Sequence, residues 1–306
     1  MFDASVIICA HNPRVSYLER TLRSLSAQTL DRSRWELIVV DNASLNPVAG
    51  IADLSWHGHG RHLSEPEVGL ASARRCGIRA SSGGVLVFVD DDNVLSPDYL
   101  TEALRIEREW HFLGSWGSGC ITPEFEVWPA DHLRELVGFL GIRNVDRPIW
   151  SNAISCTDAT PIGAGLCIRR QIGEAYVEYA KSTAIHISGR KGSSLGGHED
   201  YEISYLACKE GLGMGLFPEL KMVHLIGKER VSEARFLNLV EGVTASHLVL
   251  DYKWKGKVPR SPFSLHGVGS FVVNVLTRHG FDRRVFFAEL RADMSARREI
   301  ARATKS

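Results

Sequence analysis

The 306-residue chain carries no surplus charge, no long apolar run and no close cysteine pairing. Lysine plus arginine and aspartate plus glutamate both number 36, so no global basic field points to nucleic acid as a partner. No apolar stretch approaches the length that spans a bilayer. The six cysteines, at 9, 76, 120, 156, 167 and 208, form no C-x-x-C pair and read as reduced thiols used as small core residues. Met1-Phe2-Asp3-Ala4 runs straight into an apolar segment without a basic leader region, which sets the expected location as cytoplasmic. There is no internal repeat or low-complexity tract. His57, His59 and His62 suggest zinc by proximity, but their glycine-separated spacing does not share a helix face, and they are read as a mobile loop.

What is present centres on residues 85 to 92. Val85-Leu86-Val87-Phe88-Val89, preceded by Ser81-Ser82-Gly83-Gly84, reads as a central strand of a parallel sheet. It ends in Asp90-Asp91-Asp92, at the strand end where open α/β sheets bind their ligands. Three adjacent acids repel one another, and a hard divalent cation such as Mg²⁺ or Mn²⁺ would offset the repulsion while leaving positions for phosphate oxygens. The competing reading makes the triplet a cap for the next helix, with Pro97 near its first turn.

Strands and helices alternate over the first hundred residues. Ser5–Ala10 and Leu37–Val40 read as further buried strands, with helices carrying Leu18, Leu22 and Leu25 and spanning about Leu70 to Ile78. This order predicts an α/β, doubly wound and mostly parallel sheet, with His11-Asn12, Asp41-Asn42 and the aspartate triplet converging on one cleft. The expected division is 1–226 as one domain, with a nucleotide-binding half at 1–112 and an acceptor-binding half at 113–226, and 227–306 as a helical extension. In that extension Phe236, Leu237, Val240 and Val243 have helical spacing, residues 261–280 are apolar and glycine-containing, and an arginine-rich helix follows Asp282. Its charge run reads as a solvated face, with a peripheral membrane contact as the alternative.

Several motifs in order resemble the family 2 glycosyltransferases, inverting enzymes of the GT-A fold. Ser5-Val6-Ile7-Ile8-Cys9-Ala10-His11-Asn12 is similar to the family's first strand and turn. Glu36 to Ser44 is similar to its second strand, Gly69 to Ile78 to its Gly-x-Ala-x-Ala-Arg-Asn-x-Gly helix, and Asp90-Asp91-Asp92 to its D-x-D. The resemblance implies nucleotide-sugar contacts from Ala10, His11, Asn12, Asp41, Arg74 and Asp90, with Asp91 at the variable middle position and given no role of its own. Asp41 would meet the base or ribose, its alternative being a helix cap. Arg74 would lie near the diphosphate or the D-x-D carboxylates. Arg75 departs from the family's usual asparagine, which leaves base or ribose recognition open.

The same resemblance implies Asp92 as ligand to Mn²⁺ or Mg²⁺, with His224 in Phe217–His224 as a second ligand or a packed histidine. An inverting transfer also needs a base for the acceptor hydroxyl. Gly196-Gly197-His198-Glu199-Asp200 resembles the family's x-E-D motif, giving Asp200 as first choice and Glu199 as second; alone it reads as an acidic helix start. The implied partners are a nucleotide-sugar donor, with a UDP-sugar preferred, and a glycan or lipid-linked acceptor. Trp116, Trp128 and Trp150 read either as sugar-stacking or as core residues. Two other functions are a sugar-phosphate nucleotidyltransferase, for which residues 10–16 lack the glycine and lysine of a triphosphate loop, and a binding module without catalysis.

Overall fold

A computed structural model of the protein describes residues 2–154, 157–183, 197–258, 271 and 273–304. Two compact units emerge. The first comprises Met1–Glu126, Gly141–Ser182 and Glu199–Ile226, and the second Val127–Leu140, Thr183–His198 and Gly227–Ser306.

The first unit begins as the alternation predicts: β1 (Ala4–Ala10), α1 (Val15–Ser26), β2 (Trp35–Asp41), β3 (Gly60–Ser64), α2 (Leu70–Ala80) and β4 (Val85–Val89). These four strands lie in the order β3-β2-β1-β4, all parallel. All five residues of β4 are buried. Leu18, Leu22 and Leu25 of α1 share a core with Val6, Ile8, Leu37 and Val39, while α2 covers the opposite face. There Gly77 lies so close that a Cβ would come within 2.4 Å of Ile7 Cγ2, and only glycine allows that approach.

Beyond β4 the sheet becomes mixed, with parallel and antiparallel pairs side by side. β9 (Cys167–Arg169) runs antiparallel to β4, and β6 (Leu113–Phe125) antiparallel to β9. β10 (Gly213–Ile226) is parallel to β6, and β5 (Asn93–Leu95) closes the order antiparallel to β10. β7 (Arg143–Asn144) pairs with β6, and β8 (Ile149–Ser151) with β10. The reason is local: β9 is entered from the loop at 160–166 rather than from the helix that a parallel crossover generally uses. The remaining helices of this unit are α3 (Tyr99–Glu109), α4 (Arg170–Ser182) and α5 (Glu199–Lys209).

The histidine reading is corrected. His57 is 3% exposed and sets its ring edge-on against Trp35, with centroids 4.1 Å apart. Burial, helped by the nearby His59 and Arg32, lowers its pKa to about 4. His62 lies on β3, and its Nε2–H donates to the Ala52 carbonyl at 3.1 Å. His57 and His62 are thus held in place, while His59 is exposed in the turn before β3. Trp116 is core, whereas Trp128 and Trp150 are exposed. Five cysteines are free thiols, and Cys156 lies outside the described residues.

In the second unit α6 (Glu233–Lys255) and α7 (Gly280–Ala303) pack together. Ala288, Ala292, Ala296 and Ile300 recur every four residues along the buried stripe of α7, and Val249 of α6 meets Ala296 and Ile300. Phe236 and Val240 are buried as their spacing predicts. Most of the apolar stretch 261–280 lies outside the described residues. Among the described residues no helix is long and apolar enough to cross a membrane.

Candidate active site

The aspartate triplet does not cap a helix. It turns directly into the short strand β5, and α3 begins only at Tyr99 with Asp98 as its cap residue. Asn93, fully buried, holds the turn together. Its Oδ1 accepts from the Asp90 amide at 3.1 Å, and its Nδ2 donates to Asp92 Oδ1 at 3.0 Å. Pairing of β5 with β10 puts His224 opposite Asn93, and His224 Nε2 lies 3.3 Å from Asp92 Oδ2. Asp91 is partly exposed in the same turn.

Arg74 enters this cluster from α2. It is 2% exposed, with Nη1 2.9 Å from Glu199 Oε1 and Nη2 4.0 Å from Asp90 Oδ1. Burial alone would lower its pKa, but the charges of Glu199, Asp90 and Asp200 outweigh that and raise it. Its ring-plane neighbour is Phe88, 5.4 Å from the guanidinium carbon. Cys9, at the end of β1, has its thiol pushed up to about 12 by burial, so it is a poor nucleophile.

Glu199 and Asp200 open α5, where the unpaired amides of a helix start favour acids. Glu199 is 3% exposed and holds Arg74, whereas Asp200 is partly exposed. Asp200 Oδ2 accepts from the Gly163 amide at 2.7 Å and Oδ1 from the Tyr201 amide at 2.8 Å. A carboxylate has about four lone-pair sites, so two backbone bonds fix its orientation and leave room for a further proton donor.

Gly163 therefore does two things: its amide orients Asp200, and its missing side chain admits Arg74. A Cβ there would fall 2.1 Å from Arg74 Nη2. Gly163→Ala is expected to lose about 1–3 kcal/mol of stability by overpacking. Denaturant titration checks this, and a wild-type value would refute it.

The first two strand ends form the remaining wall. The His11 Nδ1–H donates to the Asn42 carbonyl at 2.6 Å, and Asn12, with φ of 50°, accepts from the Leu45 amide at 2.8 Å. Ala10 pairs in register with Asp41. Asp41 caps no helix: its oxygens accept from the Ser44 and Val48 amides, both at 3.0 Å, and so shape the loop after β2. Burial acts to raise its pKa, yet these hydrogen bonds prevail and the net shift is downward. Asn42 ties the loop at 65–69 to the strand ends through Glu65, Glu67 and Gly69. Asn93 and Gly163 were not singled out from sequence, although an asparagine directly after the acidic run is an available turn signal.

Residues 5–156 match the family model described as Glycosyl transferase family 2. The chain carries a family 2 glycosyltransferase domain. Glycosyltransferase AglE of Haloferax volcanii is 32% identical over 91 residues, covering 29% of this chain and 30% of that protein. Succinoglycan biosynthesis protein ExoM of Rhizobium meliloti is 33% identical over 102 residues, 30% of this chain and 31% of the other. The chain thus spans about a third of the length of these relatives. Among solved structures, the mannosyltransferase PcManGT from Pyrobaculum calidifontis, in complex with GDP-Man and Mn2+, superposes with a TM-score of 0.58 at 16% identity, covering 99% of this chain and 75% of that one. S. aureus TarS 1-349 in complex with UDP-GlcNAc gives 0.50 at 14% identity, covering 100% and 92%. At these identities the likeness establishes the GT-A fold.

Among the described residues no group of three or more histidine, cysteine, aspartate or glutamate side chains forms a metal cage. The Asp92–His224 pair nevertheless fits a divalent ion that takes its other ligands from a diphosphate and water: the donors are oxygen and imidazole, 3.3 Å apart, with Asp92 already oriented by Asn93.

Proposed function

We propose that the protein moves a sugar, with inversion, from a nucleotide-diphosphate sugar to an acceptor hydroxyl, with a UDP-sugar as the preferred donor. The observation that carries this reading is the meeting of Arg74, Asp90 and Glu199 from α2, the end of β4 and α5, beside the Asp92–His224 pair. Asp92 and His224 would hold Mn²⁺ or Mg²⁺, and that ion would stabilise the charge developing on the departing diphosphate. Asp90 meets the ribose or a metal-bound water, and Ala10, His11, Asn12 and Asp41 line the nucleotide side. Asp200 takes the acceptor proton as that oxygen attacks the anomeric carbon and the bond to the diphosphate breaks. Glu199 holds Arg74, and Arg74 keeps Asp90 in place. Asp91 has no separate task.

Residues 1–226 form the transfer domain in this reading, with 1–112 serving the nucleotide and 113–226 the acceptor. The helical extension from 227 presents a solvated charged face, with a peripheral contact at the cytoplasmic face of a membrane as the alternative. The acceptor is a glycan or lipid-linked glycan in polysaccharide or glycolipid synthesis. The names of AglE and ExoM as a glycosyltransferase and a succinoglycan biosynthesis protein support this reading, as do the GDP-Man and UDP-GlcNAc complexes of the structural neighbours.

A thermal-shift panel of UDP, GDP, CDP and dTDP with and without Mn²⁺ tests the donor. Ligand at 100 times its dissociation constant stabilises by about 2.7 kcal/mol, so the correct base stands out. Asp92→Asn is expected to lose the Mn²⁺-dependent part of that shift while folding normally. Retention of the full Mn²⁺ effect would remove Asp92 from the metal site. Pyrophosphate release from a nucleoside triphosphate would instead favour a nucleotidyltransferase, and nucleotide binding without turnover a binding module.

A further inference from the structure

Arg143 is a buried-side cation that the transfer reading leaves without work. It lies on β7, paired with Ile121 where β7 takes over the edge of β6 that β9 occupies earlier in the strand. Its guanidinium is partly buried and donates from Nη1 to the Thr160 carbonyl at 3.1 Å, with the Tyr201 side chain near it. A guanidinium has five N–H donors, so several are unspent. Arg61, Arg74 and Arg169, similarly drawn into this unit, each hold a carboxylate: Glu36, Glu199 and Glu107. Among the described residues no carboxylate lies within ion-pairing distance of Arg143. Burial accordingly lowers its pKa, against the smaller opposing influences of Tyr201 and Asp200.

Its placement relates it to the proposed base. The loop at 160–163 receives Arg143 at the Thr160 carbonyl and, three residues later, holds Asp200 through the Gly163 amide. Tyr201, the neighbour of Asp200, lies close enough to Arg143 for each to shift the other's pKa. Asp200 and Arg143 are thus two functions of one loop, a proton acceptor and an underused fork of donors. Such a fork suits the paired oxygens of a phosphate or carboxylate. A neutral acceptor would leave a partly desolvated cation uncompensated.

Resting on the assignment of Asp200 as base, we propose that Arg143 forms an acceptor subsite for an oxyanion, so that the acceptor carries a phosphate or carboxylate beside the hydroxyl that is glycosylated. The nucleotide diphosphate is a separate anion, held at Asp92 and His224. Inorganic phosphate and acetate serve as probes, titrated by calorimetry into the full chain saturated with UDP and Mg²⁺ at constant ionic strength, with glycerol as the neutral control.

Wild type is expected to bind at least one of the two anions, Arg143→Met to bind it about tenfold more weakly, and Arg143→Lys, which keeps the charge, to fall between them. Preference for phosphate or for acetate identifies which anionic group the acceptor bears. Equal binding by wild type and Arg143→Met overturns the subsite, as does an absence of anion binding by wild type; the latter needs no variant to fold. Failure of UDP and Mg²⁺ to bind at all would instead strike the transfer reading, so the two failures are distinguishable.

Discussion

Asp200→Asn is expected to reduce the turnover of sugar transfer by about 10²–10⁴-fold, the span associated with loss of a general base, while UDP affinity stays within twofold of wild type. The geometry separates the two effects. Asp200 is held by the Gly163 and Tyr201 amides at the start of α5, whereas Asp92 and His224 meet at the β5–β10 pairing. An asparagine keeps one acceptor oxygen for those amides but cannot take the hydroxyl proton. Its amide nitrogen opposes one backbone N–H, at a cost of about 1–3 kcal/mol, which denaturant titration registers separately from turnover. Single-turnover kinetics with saturating donor isolates the chemical step. A variant that keeps normal transfer would move the base elsewhere. Glu199→Gln offers the contrast, because Glu199 is 3% exposed and accepts from Arg74.

The sequence carried the first half of this site clearly and the second half as single motifs. β1, β2 and β4 are continuous apolar runs ending in polar residues, so their strand ends and the placement of His11, Asp41 and Asp90 follow from local pattern. The switch to antiparallel pairing at β9 was not legible, because a three-residue strand has no period and its partners lie far back in the chain, in the pairs Ser115↔Ile168 and Val85↔Arg169. Gly163 looked like an ordinary loop glycine, since its role depends on Arg74, which arrives from another helix. Likewise His57 had the composition of a loop, and only the aromatic face of Trp35 makes it a packed residue. Pairings between distant segments, rather than periodicity, decided each of these cases.

Arg74→Met is expected to destabilise the protein by about 3–5 kcal/mol, the usual consequence of removing one partner of a buried ion pair. Methionine matches much of the side-chain length, so the loss is chiefly electrostatic: Glu199 would remain 3% exposed without the guanidinium 2.9 Å from it, and Asp90 would lose a cation 4.0 Å away. An isolated buried carboxylate takes up a proton more readily than it does in the unfolded chain. Its folded-state pKa is then the higher one, so the penalty is small below the unfolded carboxylate value of about 4.3 and grows as pH rises through the raised value. Denaturant titrations of wild type and variant should therefore diverge more at pH 8 than at pH 5. Adding Glu199→Gln removes the abandoned charge and is expected to restore part of the stability. It should not restore transfer, because Asp90 and the start of α5 would still lack the cation that draws them together. Recovery of both stability and transfer in the double variant would make Arg74 a packing residue only.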